Sequence, residues 1–276
     1  MNRFKINEPT CISFSGGRTS AYMLWRVLQE NGGKLPDDAI VCFANTGKED
    51  EATLRFVQRC SVEWNVPITW IEYIPDEPGY RIVDFHAAAR NGEPFEQVII
   101  KKNYLPNAVT RFCTIEMKIR PIAKYLVDIG MADTKSEGEN MSMIGIRADE
   151  ARRAAKIADK SRIPLFYAGV TKEDVGKFWK SQHFDIELPN INGVTMHGNC
   201  DLCFMKGASQ ILSLIAERPE RAVWWAKMEQ TALASKPDGA RFRNDRPSYQ
   251  QMITFTEQQR SMFDGDTDSV ACFCGD

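Results

Sequence analysis

Two sets of residues in this chain carry chemistry. The first lies in the run TCISFSGGRTSAYML from Thr10 to Leu24. Ser15-Gly16-Gly17 can bring bare backbone against a ligand, because glycine has no side chain to hold it off. A helix starting just after the glycines would aim its free N–H groups and the positive end of its dipole at an anion. Ser15, Thr19 and Ser20 add hydroxyl donors around Arg18. No Gly-Lys-Ser/Thr ends the run, and the G-x-G-x-x-G spacing is missing, so it is neither a Walker loop nor a dinucleotide fingerprint. The second set is made of cysteines. Cys113 stands among Arg111, Lys118 and Arg120, and such positive surroundings favour thiolate, whether as ligand or as nucleophile. Cys200 and Cys203 have the spacing of a chelating pair, and Cys272-Phe273-Cys274 lies near the end of the sequence. Arg147 follows an apolar run, MSMIGI, and its planar fork suits a phosphate.

Positioning these groups requires strands and helices in alternation. Residues 10–14, 39–44, 68–73 and 141–146 are short, apolar and rich in β-branched types, as buried strands are. Between them, Met23, Leu24, Val27 and Leu28 share one helical face, and Phe56, Val57, Cys60 and Trp64 share another. Strands alternating with helices imply an α/β fold with a doubly wound parallel sheet, whose ligands sit at the carboxyl ends of the strands. Cys11, Cys42 and Cys60 fall on these elements and are read as small core hydrophobes. Residues 75–110 contain several prolines and glycines and are expected to form a long excursion with short elements. Thr171, with Asp174 three residues on, approximates a capping box. Residues 218–233 read as an amphipathic helix carrying Trp224 and Trp225 in its core face. Arg241, Arg243 and Arg246 with Tyr249 form a basic, aromatic-containing stretch, read as surface charge with contact to a polynucleotide as the alternative.

The 276 residues suit one large domain or one domain with an added lobe. A net charge of -2 gives no global nucleic-acid signature. No run of apolar residues is long enough to span a bilayer, and Met1-Asn2-Arg3-Phe4-Lys5 lacks a signal core. A cytoplasmic protein with no membrane partner is expected, in which the eight cysteines act as thiols, ligands or nucleophiles rather than disulfides.

The glycine loop resembles the Ser-Gly-Gly-x-Asp-Ser PP-loop of the adenine nucleotide α-hydrolase-like superfamily, with Thr19 where that motif has Asp. Asn45-Thr46-Gly47 resembles the Asp-Thr-Gly segment of phosphoadenylylsulfate (PAPS) reductases, and Glu51 and Thr53 follow it as Glu and Thr do there. Residues 111–121 are similar to the Arg-x-Cys-Cys-x-x-x-Lys-x-x-Pro region of PAPS and adenylylsulfate (APS) reductases, with Phe112 in place of the first Cys. Gly145-Ile146-Arg147 resembles residues near the sulfate or phosphate end of the nucleotide in the same families. Similar compact proteins are frequent in bacteriophage genomes.

The resemblance implies a PP-loop nucleotide domain over residues 1–185 and a mainly helical, cysteine-bearing extension over 186–276. It implies that Ser15, Gly16, Gly17, Arg18, Thr19, Ser20, Asn45 and Gly145 hold ATP or an adenylyl sulfate, with Mg²⁺ as a candidate charge neutraliser and Arg147 at the phosphates. It implies a [4Fe-4S] cluster, with zinc as the alternative, on Cys113, Cys200, Cys203 and Cys272. Cys274 then corresponds to the catalytic Cys-Gly of the reductases; exchanging the roles of Cys272 and Cys274 is nearly as consistent. The implied activity is either PAPS/APS reduction with a thiol reductant or ATP-dependent sulfur transfer to a nucleic-acid or small-molecule acceptor. A nucleotide-binding redox sensor without turnover is the competing expectation.

Overall fold

The computed structural model describes residues 2–133, 141–191, 194–235 and 240–264. These divide into two compact units. One comprises residues 1–102 and 110–201, the other residues 103–109 and the chain from Leu202 onward.

The first unit is built on alternating strands and helices. Strand β1 (Thr10–Ser13) turns into α1 (Arg18–Glu30), followed by β2 (Ala39–Asn45), α2 (Glu51–Glu63) and β3 (Ile68–Tyr73). A short β4 (Tyr80–Val83) runs back antiparallel on β3. Helix α3 (Glu93–Lys102) comes next. A helical rod then forms from α4 (Phe112–Thr114), a π-helical turn (Ile115–Ile119) and α5 (Arg120–Asp128). Strand β5 (Ser142–Ile144) returns to pair with β1, giving the order β4-β3-β2-β1-β5 with all but β4 parallel. A 3₁₀ turn (Ala148–Glu150), α6 (Ala151–Ile157), α7 (Pro164–Tyr167), α8 (Lys172–Ser181) and the antiparallel pair β6 (Asn190–Ile191) and β7 (Val194–Thr195) complete the unit.

The period-2 alternation of the strands sorts side chains onto two faces. Ile12, Phe14, Val41, Phe43, Trp70 and Met143 pack with α1, α2 and α8. Cys11, Cys42 and Ile71 pack with Tyr125 and Leu126 of α5. The sheet is thus covered on both sides, which is why its strands read as nearly continuous apolar runs. Cys11, Cys42 and Cys60 are buried core thiols. The hydrogen bond with Cys11 and burial push the Cys42 thiol up, and burial pushes Cys60 up despite Arg59. All three readings as core hydrophobes agree with this.

The second unit contains α9 (Ala208–Glu217), α10 (Glu220–Ser235) and α11 (Tyr249–Asp264). Trp225 is its centre, with ring centroids 4.9 Å from Phe242 and 5.4 Å from Tyr249. The Glu229 carboxylate accepts from the backbone N–H of Tyr249 at 2.8 Å, holding the start of α11, and from that of Phe242 at 3.3 Å. Burial pushes the Glu229 carboxyl up, and those two N–H donors offset only part of the rise.

The first compact unit runs through Asp201. Residues from 186 to 201 stay with the first unit because Arg18 reaches Thr195 at 3.4 Å, Cys200 bridges Glu49, and Asp201 pairs with Lys48. Among the described residues no helix is long and apolar enough to cross a membrane.

One buried carboxylate joins the edge of this sheet to its loops. Glu72 on β3 is fully buried. It accepts from Asn45 Nδ2 and Ala89 N, both at 2.6 Å, and from Arg81 at 2.9 and 2.7 Å. Replacing Glu72 with Ala strands two buried donors and half of an ion pair. Urea unfolding should show a loss of about 3 kcal/mol or more; a loss below about 1 kcal/mol would show the network to be dispensable.

Candidate functional site

β1 has parallel partners on both sides, and the chain reaches them in opposite directions. It steps outward through β2 and β3, then crosses back to lay β5 on the other flank. In such sheets the crevice lies outside the carboxyl ends of the two strands where the winding reverses. The glycine loop leaves β1 there, and Gly145-Ile146-Arg147 leaves β5.

The loop's geometry explains its sequence. Gly16 has φ of +74°, and a Cβ there would stand 2.7 Å from the Thr53 methyl and 3.2 Å from Phe43 and Val57. The loop therefore lies directly on α2, which only glycine allows. Gly17 is extended, at φ −105° and ψ 161°, and starts α1 with no side-chain cap. A Cβ on Gly17 would meet nothing nearer than Ser15 Oγ at 3.7 Å. The Ser20 hydroxyl knots the turn. It donates to the Gly17 carbonyl at 2.9 Å and accepts from Ser15 N at 3.1 Å and Ser15 Oγ at 3.0 Å. Among the described residues no hydrogen bond occupies the N–H groups of Gly16, Gly17, Arg18 or Thr19. The turn is thus an open row of donors at a helix N-terminus, the arrangement that receives anions.

Two strand ends converge on this row. A Cβ at Gly145 would come within 3.1 Å of Ser20 Cα, so the start of α1 rests against the end of β5. Arg147 donates from Nη1 to Thr19 Oγ1 at 3.0 Å. Its Nε and Nη2 go to Asp149 at 3.0 and 3.2 Å, and Glu150 is 3.5 Å from Nη1. Burial would raise the Asp149 carboxyl, but the hydrogen bonds and charge of Arg147 outweigh it and hold the group below the usual carboxylate range. Asp149 also accepts from Lys172 N at 3.1 Å, at the start of α8. There the expected box is formed, with Thr171 and Asp174 capping each other.

Two residues expected at the nucleotide have other work. Arg18 turns its fork to Asp185, at 2.7 and 2.6 Å, and its carbonyl accepts from Trp179 Nε1 at 2.9 Å. Its backbone N–H alone remains in the donor row. The buried Asn45 gives both amide protons away, to Glu72 and to the Ala89 carbonyl, so it has none for a base or ribose.

The loop after β2 instead receives a cysteine. Thr46 Oγ1 donates to the Glu49 carboxylate at 2.8 Å and lies 3.5 Å from Cys200 Sγ. Lys118 Nζ is 3.8 Å from Glu49. Lys48 and Asp201 form an ion pair at 3.0 Å with both side chains more than nine-tenths buried, and Asp201 N donates to the Lys48 carbonyl at 2.6 Å. Cys113 is half-buried on α4, immediately before the π-turn. Two of the three cations flanking it are engaged with carboxylates, Lys118 with Glu49 and Arg120 with Glu116 at 2.6 Å. Cys203 belongs to the second unit, in a turn closed by Lys206 N donating to its carbonyl at 2.8 Å. Cys272 and Cys274 lie outside the described residues. Among the described residues no three His, Cys, Asp or Glu side chains are gathered as a metal ion requires.

The uncharacterized nin region protein ORF290 of Escherichia phage lambda is 33% identical to this chain over 209 residues, covering 72% of this chain and 67% of that protein. The chain belongs to that phage protein's family. No protein-family model matches it.

Sequence reasoning left one polar group at the loop without a role. The hydroxyl of Thr53 is buried with no hydrogen-bond partner among the described residues, on the α2 residue whose methyl touches Gly16. Its place after Asn45-Thr46-Gly47 was the available signal. The contrast between the two glycines gives a direct test. Gly16→Ala should lower the unfolding free energy by about 2 kcal/mol or more, since it combines positive φ with a clash, whereas Gly17→Ala should stay within about 1 kcal/mol of wild type. Equal losses in urea melts would contradict the geometry. The Arg147–Asp149 contact also predicts a pH dependence. A depressed carboxyl stabilises the fold above its unfolded pKa of about 3.9 and loses that contribution as pH falls through its folded value. The stability advantage of wild type over Asp149→Asn should therefore be full at neutral pH and shrink from about pH 4 downward. An advantage that persists unchanged to lower pH would rule the contact out.

Proposed function

We propose that the chain is an adenine-nucleotide-dependent enzyme of sulfur chemistry, of the PP-loop, PAPS reductase-like kind, working in the cytoplasm. The observation that carries this is the convergence at the end of β1. An uncapped helix start with four open N–H groups is joined, through Thr19, to the Arg147 cation from the neighbouring strand. In this reading polyphosphate lies along the N–H groups of Gly16 to Thr19, with the Thr53 hydroxyl as a further donor and Arg147 supplying charge. The orphaned Thr53 hydroxyl fits such a ligand, because nothing described in the chain uses it. The loop offers hydroxyls and no carboxylate, so Mg²⁺ would be carried by the phosphates themselves.

The sulfur side of the reading belongs to the cysteines. A thiolate set of Cys113, Cys200, Cys203 and Cys272 has the donor chemistry of a [4Fe-4S] cluster or of tetrahedral zinc. The described cysteines do not assemble such a set alone, so the reading depends on the tail. Such a centre would supply redox or sulfur-carrying capacity, while Cys274 would act as the nucleophile. Two reactions fit: reduction of an adenylyl sulfate with a thiol reductant, and ATP-dependent thiolation of a nucleic-acid or metabolite acceptor.

Calorimetry with ATP, APS and PAPS tests the nucleotide site. Gly17→Val should abolish binding while circular dichroism stays native, because the added side chain occupies the open face of the turn. Arg147→Ala should weaken binding by about ten- to a hundredfold, the worth of a charge-assisted contact. Release of pyrophosphate or AMP from ATP, or of sulfite from an adenylyl sulfate, should fall with it. Undiminished binding in a folded Gly17→Val protein would overturn the reading. Binding without turnover across a cell extract's nucleic acids and metabolites would replace the enzyme with a redox-sensing regulator.

A further inference from the structure

We infer that Cys200 and Cys203 are each held by a dedicated latch, one in each unit, and that Lys48, Asp201, Arg246 and Tyr249 are positioning residues for them. The inference rests on the reading of these two cysteines as working thiols. It assigns roles to residues that the nucleotide site does not use.

The first latch is at the carboxyl end of β2. The Lys48–Asp201 pair is buried on both sides at 3.0 Å, and the Asp201 N–H donates to the Lys48 carbonyl at 2.6 Å. An isolated β-bridge joins Glu49 to Cys200. A buried ion pair is costly to form and yields little net stability over an apolar pair of the same size, so its value lies in fixing geometry. Here the geometry fixed is that of the residue next to Asp201, which is Cys200. Lys48 and Asp201 are therefore poorly explained as stabilisers and well explained as a register pin.

The second latch is made by residues that read as surface charge in the sequence. Arg246 donates from Nη1 to the Lys206 carbonyl at 2.9 Å and from Nη2 to the Phe204 carbonyl at 2.8 Å. Tyr249, almost wholly buried, donates its hydroxyl to the Leu202 carbonyl at 2.6 Å. Three side-chain donors thus grip the backbone on either side of Cys203. The guanidinium fork serves two carbonyls from two separate nitrogens in one plane, a geometry that the compact ammonium of lysine does not offer. The grip is anchored in its turn, because Glu229 holds the N–H of Tyr249.

Each latch should act on its own cysteine. The test is peptide-resolved alkylation by iodoacetamide of the full native chain at fixed pH, with nucleotide binding measured alongside. In Lys48→Met, Cys200 should react at least about fivefold faster while Cys203 stays within about twofold of wild type, as local opening of one segment requires. The double variant Lys48→Met/Asp201→Asn removes the orphaned charge and serves if the single variant does not fold. In Arg246→Gln the pattern should invert, with Cys203 accelerated and Cys200 unchanged; Tyr249→Phe gives the same direction with a smaller perturbation. Nucleotide affinity should be unchanged in all four. Equal acceleration of both cysteines, or of neither, overturns the inference. A wild-type chain that binds no adenine nucleotide yet shows the selective pattern would sink the proposed function and leave the latches standing.

Discussion

The architecture depends on β1 being held by parallel partners on both flanks. Ser13 is in register with Cys42 on one side and Ile144 on the other. This places three strand ends side by side, and the loops that leave them have no choice but to meet. Gly145 lets the end of β5 touch the first turn of α1, and Gly16 lets the same turn lie on α2. A side chain at either position would push the helix start away from its neighbours. The donor row at Gly16 to Thr19 is therefore made by packing, with no dedicated binding element.

The same packing governs where charge is allowed. Among the described residues, four cations near the crevice are matched by carboxylates. Arg18 is answered by Asp185, Lys48 by Asp201, Lys118 by Glu49 and Arg147 by Asp149. Burial makes an unanswered charge costly, so most of these pairs fix shape. Arg18 and Arg147 each also spend one nitrogen on a neutral hydroxyl, that of Thr195 and that of Thr19 respectively. A neutral partner is easier to give up than a carboxylate, and of these two hydroxyls only that of Thr19 lies in the glycine loop.

The sheet was legible because its strands are covered on both faces. Residues 68–73 match β3 at both ends, and the other parallel strands match within a residue or two. The antiparallel β4 was hidden in the proline- and glycine-containing excursion; its residues are half-buried or exposed and show no apolar alternation. The glycine loop and Arg147 were legible as types and spacing, and the structure brings them together. Asn45 and Arg246 were not. Asn45 looks like a ligand residue until Glu72, distant in sequence, is seen to take its amide. Arg246 looks like surface charge because its partners are backbone carbonyls, which carry no sequence signal. Polar residues are placed by their partners, and those partners are often far away in the chain or belong to the main chain.

Thr19 is where these threads meet. The motif that the loop resembles has a carboxylate at this position, and a carboxylate here would face Arg147 directly. The resulting ion pair would close the guanidinium against the loop and put a negative charge beside the open N–H groups. With Thr19, Arg147 donates to an uncharged oxygen, and the carboxylates that balance it, Asp149 and Glu150, come from its own segment of chain. The loop thereby keeps no acidic side chain of its own, and the balancing charge sits beyond the guanidinium. Asp149 is further tied to the start of α8 through Lys172 N. Motion of Arg147 toward an anion would thus be opposed by contacts to Asp149 and Glu150, outside the loop, and only a neutral hydrogen bond would be lost inside it. The exchange of Asp for Thr moves the electrostatic restraint on Arg147 from the loop to the segment that carries the arginine, and the loop itself becomes more receptive to negative charge.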